Sequence, residues 1–250
     1  MHLASARSWV IFLLLILFGC ATGQKVSYQT TNNKNLSSAN QVEATQDESK
    51  WVEGTRSEKT HHGLGPWAVE FGVGVISGND TLGNIISGIK GESDRIKDEY
   101  GADIYKFSVY YTVTEFQWEI GTYTFYPQFE VFPSITRFEE NSGDSYHNIN
   151  FAGTLKWTDF PWNTYLYTTL ATGVGLGYFE QINSYDRQKH ENKERSQWKF
   201  YWPIQLTLAL PKYKRHQVVL YIDHWSGGYG VFDDGGFDTY GIAYRLNFRK

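Results

Sequence analysis

From Trp67 onward, apolar residues alternate with polar or small ones, and this period of two persists through eight segments. Such a period marks β-strands with a different environment on each face, because successive side chains leave a strand on opposite sides. The segments are 67–76, 103–114, 121–136, 148–157, 164–178, 197–210, 216–226 and 237–248. The sixth is the cleanest: Trp198, Phe200, Trp202, Ile204, Leu206, Leu208 and Leu210 share one face, and Lys199, Tyr201, Gln205, Thr207 and Ala209 the other. Pro127 and Pro133 interrupt the third segment on its apolar face and predict bulges there, since proline cannot donate to a ladder.

Alternation alone fits two inverse barrels. A soluble one turns its apolar face inward, as a lipocalin does, whereas a membrane one turns it outward. Side-chain size and charge separate them. The less apolar face combines Gly and Ala with isolated Glu70, Lys106, Glu130, Lys156, Lys199, Asp223 and Arg245, which suits a narrow interior with internal ion pairs. The other face is continuous, branched and aromatic. Strands of about ten residues are long enough to cross a bilayer, and eight is the smallest common strand number for an outer-membrane barrel. The expected fold is therefore all-β, an eight-stranded antiparallel up-and-down transmembrane β-barrel over residues 63–250. Tyr244-Arg245-Leu246-Asn247-Phe248 resembles the aromatic-ended last strand of such barrels. Gly173-Val-Gly-Leu-Gly177 opens no helix, so it reads as thinning of the interior rather than a nucleotide loop.

Composition and the N-terminus add limits. A net charge of -4 with no basic block argues against a nucleic-acid partner. The single cysteine, Cys20, rules out an intrachain disulfide. Arg7 precedes an apolar run from Trp9 to Phe18 that is too short for a relaxed span and right for a signal-peptide core. Leu17-Phe18-Gly19-Cys20 resembles a lipobox, so 1–19 reads as a lipoprotein-type signal and Cys20 as the lipid-attachment residue; the alternative is an ordinary secretory signal with a chance cysteine. Ala21, following it, resembles the pattern sent on to the outer membrane of Gram-negative cells. Residues 20–62 are polar, without apolar periodicity, and read as a flexible periplasmic tether. His61-His62 lacks a third ligand nearby and reads as a solvated pair.

Loop lengths set the orientation. If the first strand leaves the periplasm, the connections 77–102, 137–147, 179–196 and 227–236 are extracellular, and those near 115–120, 158–163 and 211–215 are periplasmic. Long then alternates with short, as in outer-membrane barrels, and the tether stays in the periplasm. The seventh segment ends and the eighth begins at the extracellular side. In 216–226 the apolar row Val218, Leu220 and Ile222 continues into His224 and Ser226, and Asp238 heads the apolar row of the last segment. Polar groups facing lipid are costly and become functional suspects. A hairpin centred on Val231 pairs Ile222 with Tyr240 and sets His224 across from Asp238. Opposed side chains have Cβ atoms about 4.5–5.5 Å apart, close enough for a carboxylate to hold an imidazole. Ser226 then lies one same-face step beyond, in the order of a nucleophile, base and acid. Asp233 and Asp234 read as a solvated loop tip.

The run Tyr221-Ile-Asp-His224-Trp-Ser226, with Gly235-Gly236-Phe237-Asp238 and Thr239-Tyr240-Gly241-Ile-Ala-Tyr244, resembles the C-terminal hairpin of the PagL-type lipid A 3-O-deacylases. That resemblance covers roughly the last 35 residues closely, and the strand count extends it more loosely to Trp67. It implies an eight-stranded outer-membrane barrel that releases an ester-linked acyl chain from lipid A without metal or other cofactor. It further implies His224 as base, Ser226 as nucleophile and Asp238 as acid. This chain departs from the family in two places: Asp238 stands where Glu is common, and Gly227 where an Asn commonly follows the serine. Backbone N–H groups around Gly227 and Gly228 are then the candidate oxyanion donors. The expected partners are lipopolysaccharide in the outer leaflet and membrane lipid. Two other readings use the same residues: a structural or binding barrel without turnover, and a phospholipase or acyltransferase with the same triad.

Overall fold

The computed structural model describes residues 64–78, 95–120, 123–189 and 195–248. The signal, Cys20, the tether and His61-His62 lie outside the described residues. The strands are β1 (Trp67–Ser77), β2 (Ala102–Glu115), β3 (Trp118–Ile120), β4 (Tyr123–Phe125), β5 (Gln128–Glu140), β6 (Ser145–Trp157) and β7 (Tyr167–Phe179), followed after a short helix α1 (Ser184–Lys189) by β8 (Trp198–Ala209), β9 (His216–Ser226) and β10 (Gly236–Asn247). Eight of them close into a barrel in the order β1-β10-β9-β8-β7-β6-β5-β2, and β3 pairs with β4 in a separate two-stranded ribbon. Every neighbouring pair is antiparallel. The expected up-and-down barrel forms, closed by Phe71 pairing with both Tyr244 and Phe107.

The apolar row faces outward. Phe71, Val73, Ile149, Phe151 and Val174 are each at least half exposed, whereas the alternate residues of the same strands point into the barrel. Such an apolar exterior faces hydrocarbon, and closure leaves no unpaired edge within it. The seven charged residues read as interior are all buried. Lys106 Nζ lies 2.8 Å from Asp223 Oδ2, Arg245 donates to Glu70 at 2.7 Å, and Lys156 pairs with Glu130. Above these charges an aromatic plug fills the barrel mouth: Trp225 stacks on Tyr201 and Phe237, with Phe138 and Phe179 edge-on to it.

Several strand limits differ from the alternation. The third segment is two elements, because Pro127 has no N–H for a ladder and constrains Tyr126 before it. Tyr126 N–H instead donates to Asp159 Oδ2 at 2.8 Å, and the barrel strand starts at Gln128. Neither proline carries a bulge: the β5–β6 register runs unbroken through Pro133 opposite Phe151, and the irregularity lies between Thr112 and Thr114 on β2. The fifth strand starts at Tyr167 because the amides of Tyr165 and Leu166 turn back to Trp162 O, which leaves Tyr165 exposed rather than interior. β5 and β6 run past the expected loop 137–147, leaving only a turn between Glu140 and Ser145. Connections 78–101, 141–144, 180–197 and 227–235 share one end of the barrel, called distal below.

Candidate active site

The hairpin of β9 and β10 builds the site at the distal end. Its register pairs Asp238 with His224, Tyr240 with Ile222, Ile242 with Leu220 and Gly236 with Ser226. Turn length and face parity therefore place the residues as expected. Asp238 Oδ1 accepts from His224 Nδ1 at 2.6 Å. The acid is nearly sealed, with 3% of its side chain exposed against 25% for the histidine, so the ring covers the carboxylate and keeps one edge open. A carboxylate on Nδ1–H fixes the tautomer and leaves Nε2 with a lone pair toward the open side. On the other flank, Trp202 pairs in register with His224 and Phe200 with Ser226. The Trp202 and His224 rings meet edge to face at 6.4 Å, and Trp202 Nε1 is anchored on Thr172 Oγ1 at 2.8 Å. Between His224 and Ser226, Trp225 turns inward and donates from Nε1 to Asn150 Oδ1 at 3.0 Å. That buried indole pins the backbone carrying both polar residues.

Ser226 shares the His224 face, one two-residue step along the strand, or roughly 6.7 Å of rise. The two side chains make no hydrogen bond to each other. Nucleophile–base contacts of this kind commonly tighten only around substrate.

The two oxyanion candidates differ. Gly227 N–H donates to Gly235 O at 2.8 Å, so it is engaged in closing the loop, and Gly228 is left as the donor of the pair. Gly227 also tolerates no side chain: a Cβ there would stand 2.0 Å from Asp233 O. The asparagine common at this position in the resembling family cannot fit while Asp233 packs there. Gly228 adopts φ of 67° and Tyr229 φ of 56°, the left-handed turn that reverses the loop.

Asp233 is not at a solvated tip; it is buried against Lys199. Burial alone would raise its carboxyl, but the hydrogen bond from Lys199 and the N–H groups of Ser196 and Gly235 outweigh this and hold it below the ordinary range. Tyr185, on α1, was not singled out by the alternation. Its hydroxyl donates to Gly78 O at 2.9 Å, and burial, with the Asp238 carboxylate second, pushes the phenol up. The neighbouring Asp186 accepts the Gly236 N–H at 3.0 Å, so α1 meets the start of β10 two residues before the acid. No strand period flags a residue in a long loop, and neither Tyr185 nor Asp186 carried any other signal. Trp202 was legible as part of the apolar face of the sixth segment, but its place beside His224 comes from the β8–β9 register. Among the described residues no group of three or more His, Cys, Asp and Glu side chains is arranged to hold a metal ion.

The fold and site together define an eight-stranded barrel with an apolar exterior and a polar His–Asp pair on its outer wall. No family model and no curated protein matches the chain. Among solved structures it is similar to the outer membrane enzyme PagL, with a TM-score of 0.48 and 16% identity over 72% of this chain and 98% of that one. No residue role is carried over from that similarity.

Proposed function

We propose that the chain is an outer-membrane carboxylic ester hydrolase that removes an ester-linked acyl chain from lipid A. The observation that carries this reading is the 2.6 Å His224–Asp238 pair on the lipid-facing wall, one same-face step from Ser226. Ser226 Oγ attacks the ester carbonyl while His224 Nε2 takes its proton and then gives it to the leaving sugar alkoxide. Water, deprotonated by the same nitrogen, releases the fatty acid and restores the serine. Asp238 stabilises the imidazolium at each stage. Gly228 N–H, at the start of the loop, is the proposed oxyanion donor.

The substrate class follows from position. In this reading the three residues, at the distal end of an apolar wall, meet the level where an acyl chain joins its headgroup. With β1 leaving the periplasm, that end faces the outer leaflet, where a Gram-negative cell keeps lipopolysaccharide. A signal over 1–19, lipidation at Cys20 and the tether over 20–62 belong to the same reading, since they keep the N-terminus in the periplasm.

The test is mass spectrometry of lipid A from Gram-negative cells expressing the wild-type chain or Ser226→Ala at equal outer-membrane levels. Loss of one hydroxyacyl mass with the wild type alone is the expected result. Identical lipid A spectra overturn the reading, and free fatty acid from glycerophospholipids in the same cells would make the enzyme a phospholipase.

A further inference from the structure

One buried ammonium on β8 ties α1 to the loop of the proposed catalytic hairpin. Lys199 Nζ donates to Asp186 Oδ2 at 2.8 Å and to Asp233 Oδ2 at 2.5 Å, and no side chain of the three is more than 3% exposed. Each carboxylate has a second task. The other oxygen of Asp186 accepts the Gly236 N–H at 3.0 Å. The other oxygen of Asp233 accepts the Gly235 N–H at 2.7 Å, while Oδ2 also takes the Ser196 N–H at 2.8 Å. Gly236 is the register partner of Ser226, and Gly235 O receives the Gly227 N–H. Gly227, which follows the nucleophile, Gly236 across from it, and the residues leading into Asp238 are therefore held, directly or through Gly235, by two carboxylates that share one cation.

We propose that Lys199, acting through Asp186 and Asp233, is a positioning residue that keeps Ser226 in line with the His224–Asp238 pair. The proposal rests on the triad reading. Without the ammonium, two desolvated carboxylates lose the cation they share, and the Arg195 guanidinium, which meets Asp186 only beside Gly235, does not replace the bond to Asp233; the strain is relieved by protonation or by moving apart. Moving apart withdraws the Oδ1 acceptors of Gly235 and Gly236, and protonation weakens them by removing their charge; both loosen the loop packed on Gly227. The barrel has its own ion pairs, Lys106–Asp223 and Arg245–Glu70, which Lys199 does not join. Losing it therefore disturbs the site while the barrel stays closed.

The full chain in detergent micelles, labelled at Ser226 with a fluorophosphonate probe, provides the test. Lys199→Met, Lys199→Arg and Asp186→Asn are compared with the wild type and with Ser226→Ala, which takes no label. Folding is read from the heat-dependent gel mobility of closed barrels, and the 226–238 segment is followed by amide exchange. Lys199→Met should stay folded, exchange faster in that segment and label at least about tenfold more slowly, since a displacement of about 1 Å at a catalytic group costs on the order of a hundredfold. Lys199→Arg keeps the charge and should label within about threefold of the wild type. If Lys199→Met fails to fold, Asp186→Asn gives the same reading with a smaller change.

Wild-type labelling rates in the folded variants overturn the positioning role, as does slow labelling without faster exchange. If the wild type takes no label at Ser226 while Lys199→Met still exchanges faster, the triad reading itself has failed. The tie is then purely structural, and the positioning role falls with the triad.

Discussion

Asp238 heads an outward row yet is buried, because His224 covers it from the paired strand and α1 bonds Gly236 two residues before it. Its oxygen on Nδ1–H holds the His224 ring in one orientation, which in the proposed mechanism makes it a directed base. Asp238→Asn preserves the size but not the charge that stabilises an imidazolium, so kcat on a soluble short-chain ester should fall by about 10³ to 10⁴. Asp238→Glu keeps the charge on a stem one methylene longer and should lose less than about tenfold. A wild-type kcat in Asp238→Asn would remove the acid from the mechanism. This residue pair was legible because a strand's parity and a hairpin's length are local properties. Gly227 and Asp233 were not: one lost its expected oxyanion role and the other its expected solvation through contact with each other and with Lys199, which no spacing encodes.

Each strand keeps its alternation because closure gives its two faces opposite solvents, lipid outside and a packed polar interior inside. Phe151, near the middle of β6 and 59% exposed, points into hydrocarbon. Phe151→Arg should destabilise the barrel in lipid vesicles by about 2–4 kcal/mol, and Tyr178→Arg at the distal end of β7 by about 0–1 kcal/mol. Denaturant titration of the reconstituted chain measures both, and equal costs would contradict a lipid-facing wall. Where the alternation misjudged an element, the cause lay outside the strand period. Pro127 ended a ladder that side-chain pattern alone would continue, and the amide of Tyr126 found its acceptor 33 residues away in Asp159. Turn hydrogen bonds to Trp162 likewise delayed the start of β7.

The barrel is tied across its interior by charge and packed with aromatic rings. Arg245 bonds Glu70 and Gln205, lies over the Tyr110 ring and faces Glu130 at 3.8 Å, so it links β10 to four other strands inside the barrel. Arg245→Met leaves Glu70 without its countercharge and should cost about 3–5 kcal/mol; adding Glu70→Gln should recover part of it, because removing both charges also removes the desolvation penalty. Denaturant midpoints of the single and double variants check this, and a double variant no better than the single would deny the pairing. The sequence by itself determined the strands, their inner and outer faces, the charged lumen and the facing of His224 and Asp238, since period two and hairpin register follow from backbone geometry. Only the tertiary structure decided which acids meet which bases, that Asp186 and Asp233 share Lys199, and that Gly227 admits no side chain. Those contacts join loops and strands distant along the chain, and closure of the barrel is what brings them together.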